Sequence, residues 1–84
     1  MQQFDLFPED IRIERVDPDT NMYRFYRLRI LPDLFGGISL LREWGRIGTQ
    51  GRHKIELFTD VDQATAAMLT VYRAKQKRGY QIAA

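Results

Sequence analysis

The sequence predicts an α+β fold, a small antiparallel β-sheet of about four strands with one C-terminal amphipathic helix packed on a face. Three features predict it. Apolar and polar residues alternate from Met22 to Leu31 and again from Arg52 to Phe58, the period of a half-buried strand. The stretches between the strand-like runs are short and rich in Gly, Pro, Asp and Asn, which suits hairpins better than crossovers. From Thr59 onward the apolar residues recur at three- and four-residue spacing, the period of a helix.

Eighty-four residues with 44% hydrophobic content are enough for one modest core, so residues 1–84 are read as a single domain, with residues 1–10 as an N-terminal arm. Without cysteine, packing must do the work of disulfides or thiolate metal sites. The first ten residues carry three acids and no base, unlike a secretory signal, and no apolar run approaches the length that spans a bilayer. The expectation is a soluble cytoplasmic protein with no membrane association. Net charge is only +2 but unevenly spread: residues 1–20 hold six acids against Arg12 and Arg15, whereas residues 21–84 hold eleven bases against five acids. Ten of the thirteen bases are arginine, the side chain suited to paired contacts with phosphate or carboxylate, so the later region favours an anionic partner. Ion pairing with the acidic start of the chain explains the same asymmetry without any partner.

In the arm, Phe4, Leu6 and Phe7 offer aromatic and aliphatic surface to the body. Ile11 and Ile13 alternate with Arg12 and Glu14 as a short first strand. Asp17-Pro18-Asp19-Thr20-Asn21 is turn chemistry; its acidic spacing resembles the start of a calcium loop, but Met22 stands where glycine is needed and Leu28 where the closing glutamate belongs. Met22 to Leu31 is the strongest strand, with Tyr26, Leu28 and Ile30 on one face and Phe25, Arg27 and Arg29 on the other. Arg27 and Arg29 are expected to pair across strands with Glu14, Glu43 or Glu56. Pro32 to Gly37 forms a hairpin turn using Gly36-Gly37, with Leu34 and Phe35 capping the core. Ile38 to Ile47 follows with Leu40 and Trp44 sharing a face, and Gly45 marks a bulge or the close approach of another backbone. In the fourth strand His53, Ile55 and Leu57 share the apolar parity, so His53 reads as a core histidine.

Thr59 or Asp60 can cap the helix, Asp60-x-x-Gln63 has the capping-box pattern, and Val61, Ala64, Met68, Val71, Tyr72 and Lys75 recur at helical spacing as an amphipathic stripe. Lys75, Lys77 and Arg78 complement the helix dipole at the last turn, and Gly79 stops it. Tyr80 to Ala84 either docks on the sheet or frays.

Chemistry concentrates between Leu40 and Lys54, which holds the only tryptophan, three of the six glycines and four of the thirteen bases. Enzymatic constellations are missing from this chain. Its single serine, Ser39, lies outside any nucleophile elbow, and one histidine gives a triad or metal site little to draw on. The glycines at 45, 48 and 51 match neither a dinucleotide fingerprint nor a phosphate-binding P-loop. A non-enzymatic protein without cofactor is expected. Trp44 beside Arg46 and Arg52 near a glycine-rich turn instead suits a nucleotide, because an aromatic face stacks on base or sugar while guanidinium groups meet phosphate.

The run Trp44-Gly45-Arg46-Ile47-Gly48, followed by Gly51, resembles the signature of the WGR domain, found in DNA-dependent poly(ADP-ribose) polymerases and in stand-alone bacterial proteins. Asn21 with Arg24-Phe25-Tyr26 resembles that family's Asn turn and basic-aromatic-Tyr strand, and Lys75 to Tyr80 resembles its final Lys-rich turn. The likeness covers about residues 11–82 and is nearest to the short bacterial form. It implies a small antiparallel sheet with one helix and a nucleic-acid-binding module, DNA rather than RNA. By resemblance, Trp44 stacks on the sugar of a terminal nucleotide at a DNA break and Arg46 contacts phosphate or a neighbouring domain. The binding residues so expected are Trp44, Gly45, Arg46, Arg52, Lys54 and Arg24. Tyr23 departs from the asparagine common before the basic-aromatic-Tyr run in the polymerases, and no catalytic domain for ADP-ribosyl transfer is present in this sequence. The competing expectation is a protein-interaction or self-assembly module that uses Leu34, Phe35 and the acidic arm, or an appendage to a separately encoded enzyme.

Overall fold

The computed structural model describes residues 9–83. Five antiparallel strands, β1 (Asp10–Asp17), β2 (Met22–Pro32), β3 (Ile38–Arg46), β4 (Arg52–Phe58) and β5 (Gln81–Ile82), form one sheet in the order β4-β3-β2-β1-β5, and the helix α1 (Val61–Lys77) packs on one face. The α+β expectation holds, with one strand more than the alternation revealed. Two residues are too short to show a period, and β5 exists because the turn after α1 carries the chain back to the edge of β1, where Ile82 pairs with Ile13.

Residues directly opposite across antiparallel strands share a face, so the register sorts the sheet into two sides. On the helix side, Ile11 and Ile13 of β1, Tyr26, Leu28 and Ile30 of β2 and Leu40 of β3 meet Ala64 and Met68 of the helix, and Tyr80 closes the end of this core. Ile13, Leu28, Leu40 and Met68 are fully buried. Shortening one of these to alanine costs roughly 2–5 kcal/mol of stability. The other side of the sheet is open. Among the described residues Phe25 and Ser39 are buried there, Phe25 covered by the Arg12 guanidinium 4.4 Å from the ring centroid.

The charged residues of the open side are matched in pairs: Arg27 with Asp10 at 2.7 Å, Arg29 with Glu43 at 2.9 Å, and Arg12 with Glu14 at 2.9 Å. The pairing expected for Arg29 is therefore found with Glu43, while Arg27 turns to Asp10, a residue assigned to the arm but serving as the first residue of β1. The expected packing of Phe4, Leu6 and Phe7 lies outside the described residues.

Two local expectations need correction, and a third resolves to one of its two alternatives. His53, Ile55 and Leu57 do share a face, but it is the open one, and His53 is exposed rather than in the core. The register explains it: Arg52, Lys54 and Glu56 stand opposite Trp44, Arg42 and Leu40, which fixes them on the helix side and turns their apolar neighbours away. Leu34 and Phe35 do not cap the core either, being 94% and 95% exposed. Asp33 holds this turn closed by accepting hydrogen bonds from the amides of Phe35 and Gly37, which leaves the two apolar side chains at its tip. At Gly45 the β2–β3 register runs without interruption, so no bulge forms and the close backbone approach is the cause.

The helix begins as its sequence requires. Asp60 is the N-cap, and its carboxylate accepts from the Gln63 amide at 2.9 Å. It ends in a Schellman motif: the Gly79 amide donates to Gln76 C=O, the Tyr80 amide donates to Lys75 C=O, and Gly79 has φ +96°.

Candidate functional site

The Trp-Gly-Arg segment sits where β3 ends, and two glycines shape it. A Cβ on Gly45 would lie 2.7 Å from Gly51 Cα, and one on Gly51 would lie 2.1 Å from the Trp44 carbonyl oxygen. Gly51 also has φ +71°. The backbones of the two hairpin arms therefore touch, and only glycine fits at either position. Thr49 fastens the turn by donating its hydroxyl and its amide to Arg46 C=O at 2.8 and 3.0 Å.

This packing presents Trp44 on the helix side of the sheet, half-buried, its indole stacked on Tyr26 with centroids 5.6 Å apart and planes 11° from parallel. Beside the pair opens a cleft of about 380 Å³, within the range of small-ligand sites. Thr20 to Tyr26 form one wall, Trp44, Gly45 and Arg46 another, and Lys75 and Tyr80 the third. Asn21 helps to shape the first wall through its left-handed conformation, φ 53°, after a single 3₁₀ turn at Pro18–Thr20.

The electrostatics of this cleft are one-sided. Arg15, Arg24 and Arg46 form a continuous row across β1, β2 and β3, each directly opposite the next; Arg24 and Arg46 line the cleft and Arg15 extends the row beyond its lining. Like charges placed opposite one another cost stability, yet among the described residues none of the three has a carboxylate in an ion pair. The Arg46 guanidinium rests 5.1 Å from the Tyr23 ring centroid and makes only long hydrogen bonds, 3.4 Å, to the Asn21 carbonyl and side-chain oxygens. Lys75 adds a fourth cation. Its amine lies 4.6 Å from the Tyr26 ring centroid and 5.6 Å from that of Tyr80. Burial above all, then the charges of Arg78, Arg42 and Arg24, holds the Lys75 amine below the ordinary lysine pKa. Cations left without acids around an aromatic pair make a seat for an anion that carries a flat apolar part.

Of the residues expected from the sequence, the structure brings Trp44, Gly45, Arg46 and Arg24 to the cleft. Arg52 is exposed directly opposite Trp44 on β4 but outside the cleft lining, and Lys54 stands two residues further along the same edge, opposite Arg42. Sequence reasoning missed Tyr26, Lys75 and Tyr80 as site residues. A signal for Lys75 was present, since it is the one lysine on the apolar stripe of the helix, but the helix dipole explained it equally well.

The whole described chain matches a family model: residues 9–84 match that of the WGR domain. The chain belongs to the WGR family. The WGR domain is a nucleic-acid-binding type of domain in poly(ADP-ribose) polymerase-like proteins. This WGR chain is also 46% identical over 74 residues to the uncharacterized protein y4dW of Sinorhizobium fredii (strain NBRC 101917 / NGR234), an alignment that covers 88% of the chain and 36% of that relative. The chain thus spans about a third of the length of the curated relative it matches. Among the described residues no helix of this WGR domain is long and apolar enough to cross a membrane.

Proposed function

We propose that this domain binds DNA ends or breaks in the cleft between Trp44 and Lys75, without chemistry of its own. The uncovered surface of Trp44 stacks on the sugar or base of a terminal nucleotide, and Arg24, Arg46 and Lys75 meet its phosphate. The observation that carries this reading is the in-register row of arginines, without an ion pair among the described residues, beside a half-buried tryptophan. Family membership points the same way. Recognition is indifferent to sequence: among the described residues the one long helix is packed on the sheet with Ala64 and Met68 buried, so none of them presents a helix to a major groove. A purely binding role agrees with His53 lying on the far side of the sheet from the cleft and with the Ser39 hydroxyl being taken up by Leu31 C=O at 3.0 Å.

The experiment is a titration of the single tryptophan's fluorescence with short DNA duplexes, with and without 5′-phosphate. Saturable quenching is expected, stronger with the phosphorylated ends and weakened about tenfold or more by Arg46→Ala, the effect of losing one charge-assisted contact. Equal response to both duplexes would remove the terminal phosphate from the reading, and no response would remove the cleft.

A second reading is favoured by one specific observation. Leu34 and Phe35 stand almost fully exposed at the end of the sheet opposite the cleft, which suits an apolar contact with a protein partner. Leu34→Ser with Phe35→Ser would abolish such a contact while leaving DNA binding intact.

A further inference from the structure

Among the described residues no strand pairs with the outer edge of β4, and its residues are arranged to pair with themselves. We infer that two copies of this chain join through antiparallel pairing of β4 with β4 about a two-fold axis at Ile55, giving one ten-stranded sheet. The inference is independent of what the cleft binds.

The backbone sets the first condition. In antiparallel sheets alternate residues aim their N–H and C=O at one neighbour and then at the other. The bond from the Ile47 amide to Tyr23 C=O, and that from the Asp33 amide to Gly37 C=O, fix the phase between β2 and β3: odd-numbered residues of β3 bond to β2. Even-numbered residues of β3 therefore bond to β4, and their mates there are Arg52, Lys54, Glu56 and Phe58. His53, Ile55 and Leu57 are left with amide and carbonyl groups pointing away from the sheet, free to accept a strand. A two-fold axis at Ile55 pairs Ile55 with the partner's Ile55 and His53 with the partner's Leu57, all three positions in bonding phase.

The side chains set the second condition. The same register places Lys54 opposite the partner's Glu56, twice, on the helix side. Within one chain Lys54 faces Arg42 and, among the described residues, is in no ion pair, while Glu56 meets Arg42 at 3.2 Å through one of its two carboxylate oxygens. On the open side, Ile55 and Leu57 are 57% and 70% exposed, and Leu41 lies next to Ile55. Pairing turns these into an unbroken row of Leu41, Ile55 and their two symmetry mates. Shifting the axis to His53 would set Lys54 opposite the partner's Arg52, and shifting it to Leu57 would carry the strand ends past each other, so Ile55 is the one centre that pairs all of β4 with matched charge. Lysine on an edge strand ordinarily guards against such pairing; here the sequence supplies the acid that answers it.

A two-fold axis perpendicular to the sheet keeps both helices on one face. The two arginine rows then open on the same surface of the dimer.

Four experiments test this. Sedimentation equilibrium should show the mass rising with concentration from that of the 9.9 kDa chain to twice it. Amide exchange should slow with concentration at His53, Ile55 and Leu57 and stay constant at Lys54 and Glu56. Lys54→Glu should weaken the dimer by roughly tenfold or more, and adding Glu56→Lys should restore it. Ile55→Pro removes only an outward amide, so it should leave the monomer folded and the fluorescence response to DNA intact while abolishing the dimer. A protein that stays monomeric at every concentration overturns the inference, as does a dimer that survives both Lys54→Glu and Ile55→Pro.

Discussion

Lys75 shows how one residue acquires a role from its surroundings. It occupies a core-facing position on the helix stripe, and the Schellman turn after it folds Tyr80 back so that both aromatic rings of the site lie within reach of its amine. Its partial burial and the charges of three arginines lower its pKa in the folded protein, and among the described residues it is in no ion pair. The sign follows from linkage. A lowered folded-state pKa means that the charged amine costs stability at neutral pH, and that cost disappears as pH rises through the folded-state value towards the unfolded one. A bound phosphate reverses the balance by favouring the charged form, so affinity is full below the free-protein pKa of Lys75 and declines as pH rises through it. Lys75→Met keeps the stem and removes the charge. This variant is expected to unfold at higher denaturant than the parent at neutral pH, to bind DNA about tenfold or more weakly, and to lose the alkaline decline. Titrations of Trp44 fluorescence from neutral into alkaline pH check all of this; an unchanged alkaline decline in the variant would assign the proton to another group.

At the scale of elements, the β3–β4 hairpin joins the sequence motif to the site. The middle residue of Trp-Gly-Arg is glycine because Gly51 touches it, and Gly51 is glycine because its Cβ would overlap the Trp44 carbonyl. Gly48 differs, with φ +94° but open space around it. Gly48→Ala is therefore expected to cost about 1–2 kcal/mol, the conformational term alone. Gly51→Ala should exceed this by roughly 1–3 kcal/mol because the backbone must move, and it should shift the Trp44 emission, since the indole is carried by the displaced strand. Urea unfolding of the two variants compares these costs directly. Such contacts between distant glycines leave only a spacing in the sequence. The elements themselves were legible, because Met22 to Leu31 alternates cleanly and the helix carries both its cap and its stop. The side to which β4 turns was not legible. Its apolar parity looked like core, yet an edge strand takes its orientation from the register with β3, and Leu40 opposite Glu56 settles that register. In the same way Leu34 and Phe35 looked like core caps, and it is the Asp33 hydrogen bonds that hold them outward. For the site, Trp44, Arg46 and Arg24 could be picked out by type and by family likeness, whereas Tyr26 and Tyr80 reach the cleft only through tertiary packing.

The whole molecule separates its charges by face, which the linear sequence blurs into a net +2. On the open face the acids of β1 and β3 neutralise Arg12, Arg27 and Arg29. On the helix side of β2, β3 and β4 the register leaves Glu56 as the lone acid against Arg24, Arg42, Arg46, Arg52 and Lys54. A weakly charged protein thereby offers one strongly basic surface, and the number of phosphates it engages can be counted from salt dependence. If the contact is confined to the cleft, Arg24, Arg46 and Lys75 are the cations involved, and the logarithm of affinity for a duplex should fall against the logarithm of salt with a slope of roughly −2.7. If the nucleic acid also runs along β4 past Arg52 and Lys54, the slope steepens to roughly −4.5. Arg52→Gln with Lys54→Gln separates the two cases: it leaves the shallow slope unchanged and returns the steep one to the shallow value. A slope near zero in the parent protein would mean that the arginine row does not meet phosphate at all, and the cleft would then have to be read as a site for an uncharged aromatic partner.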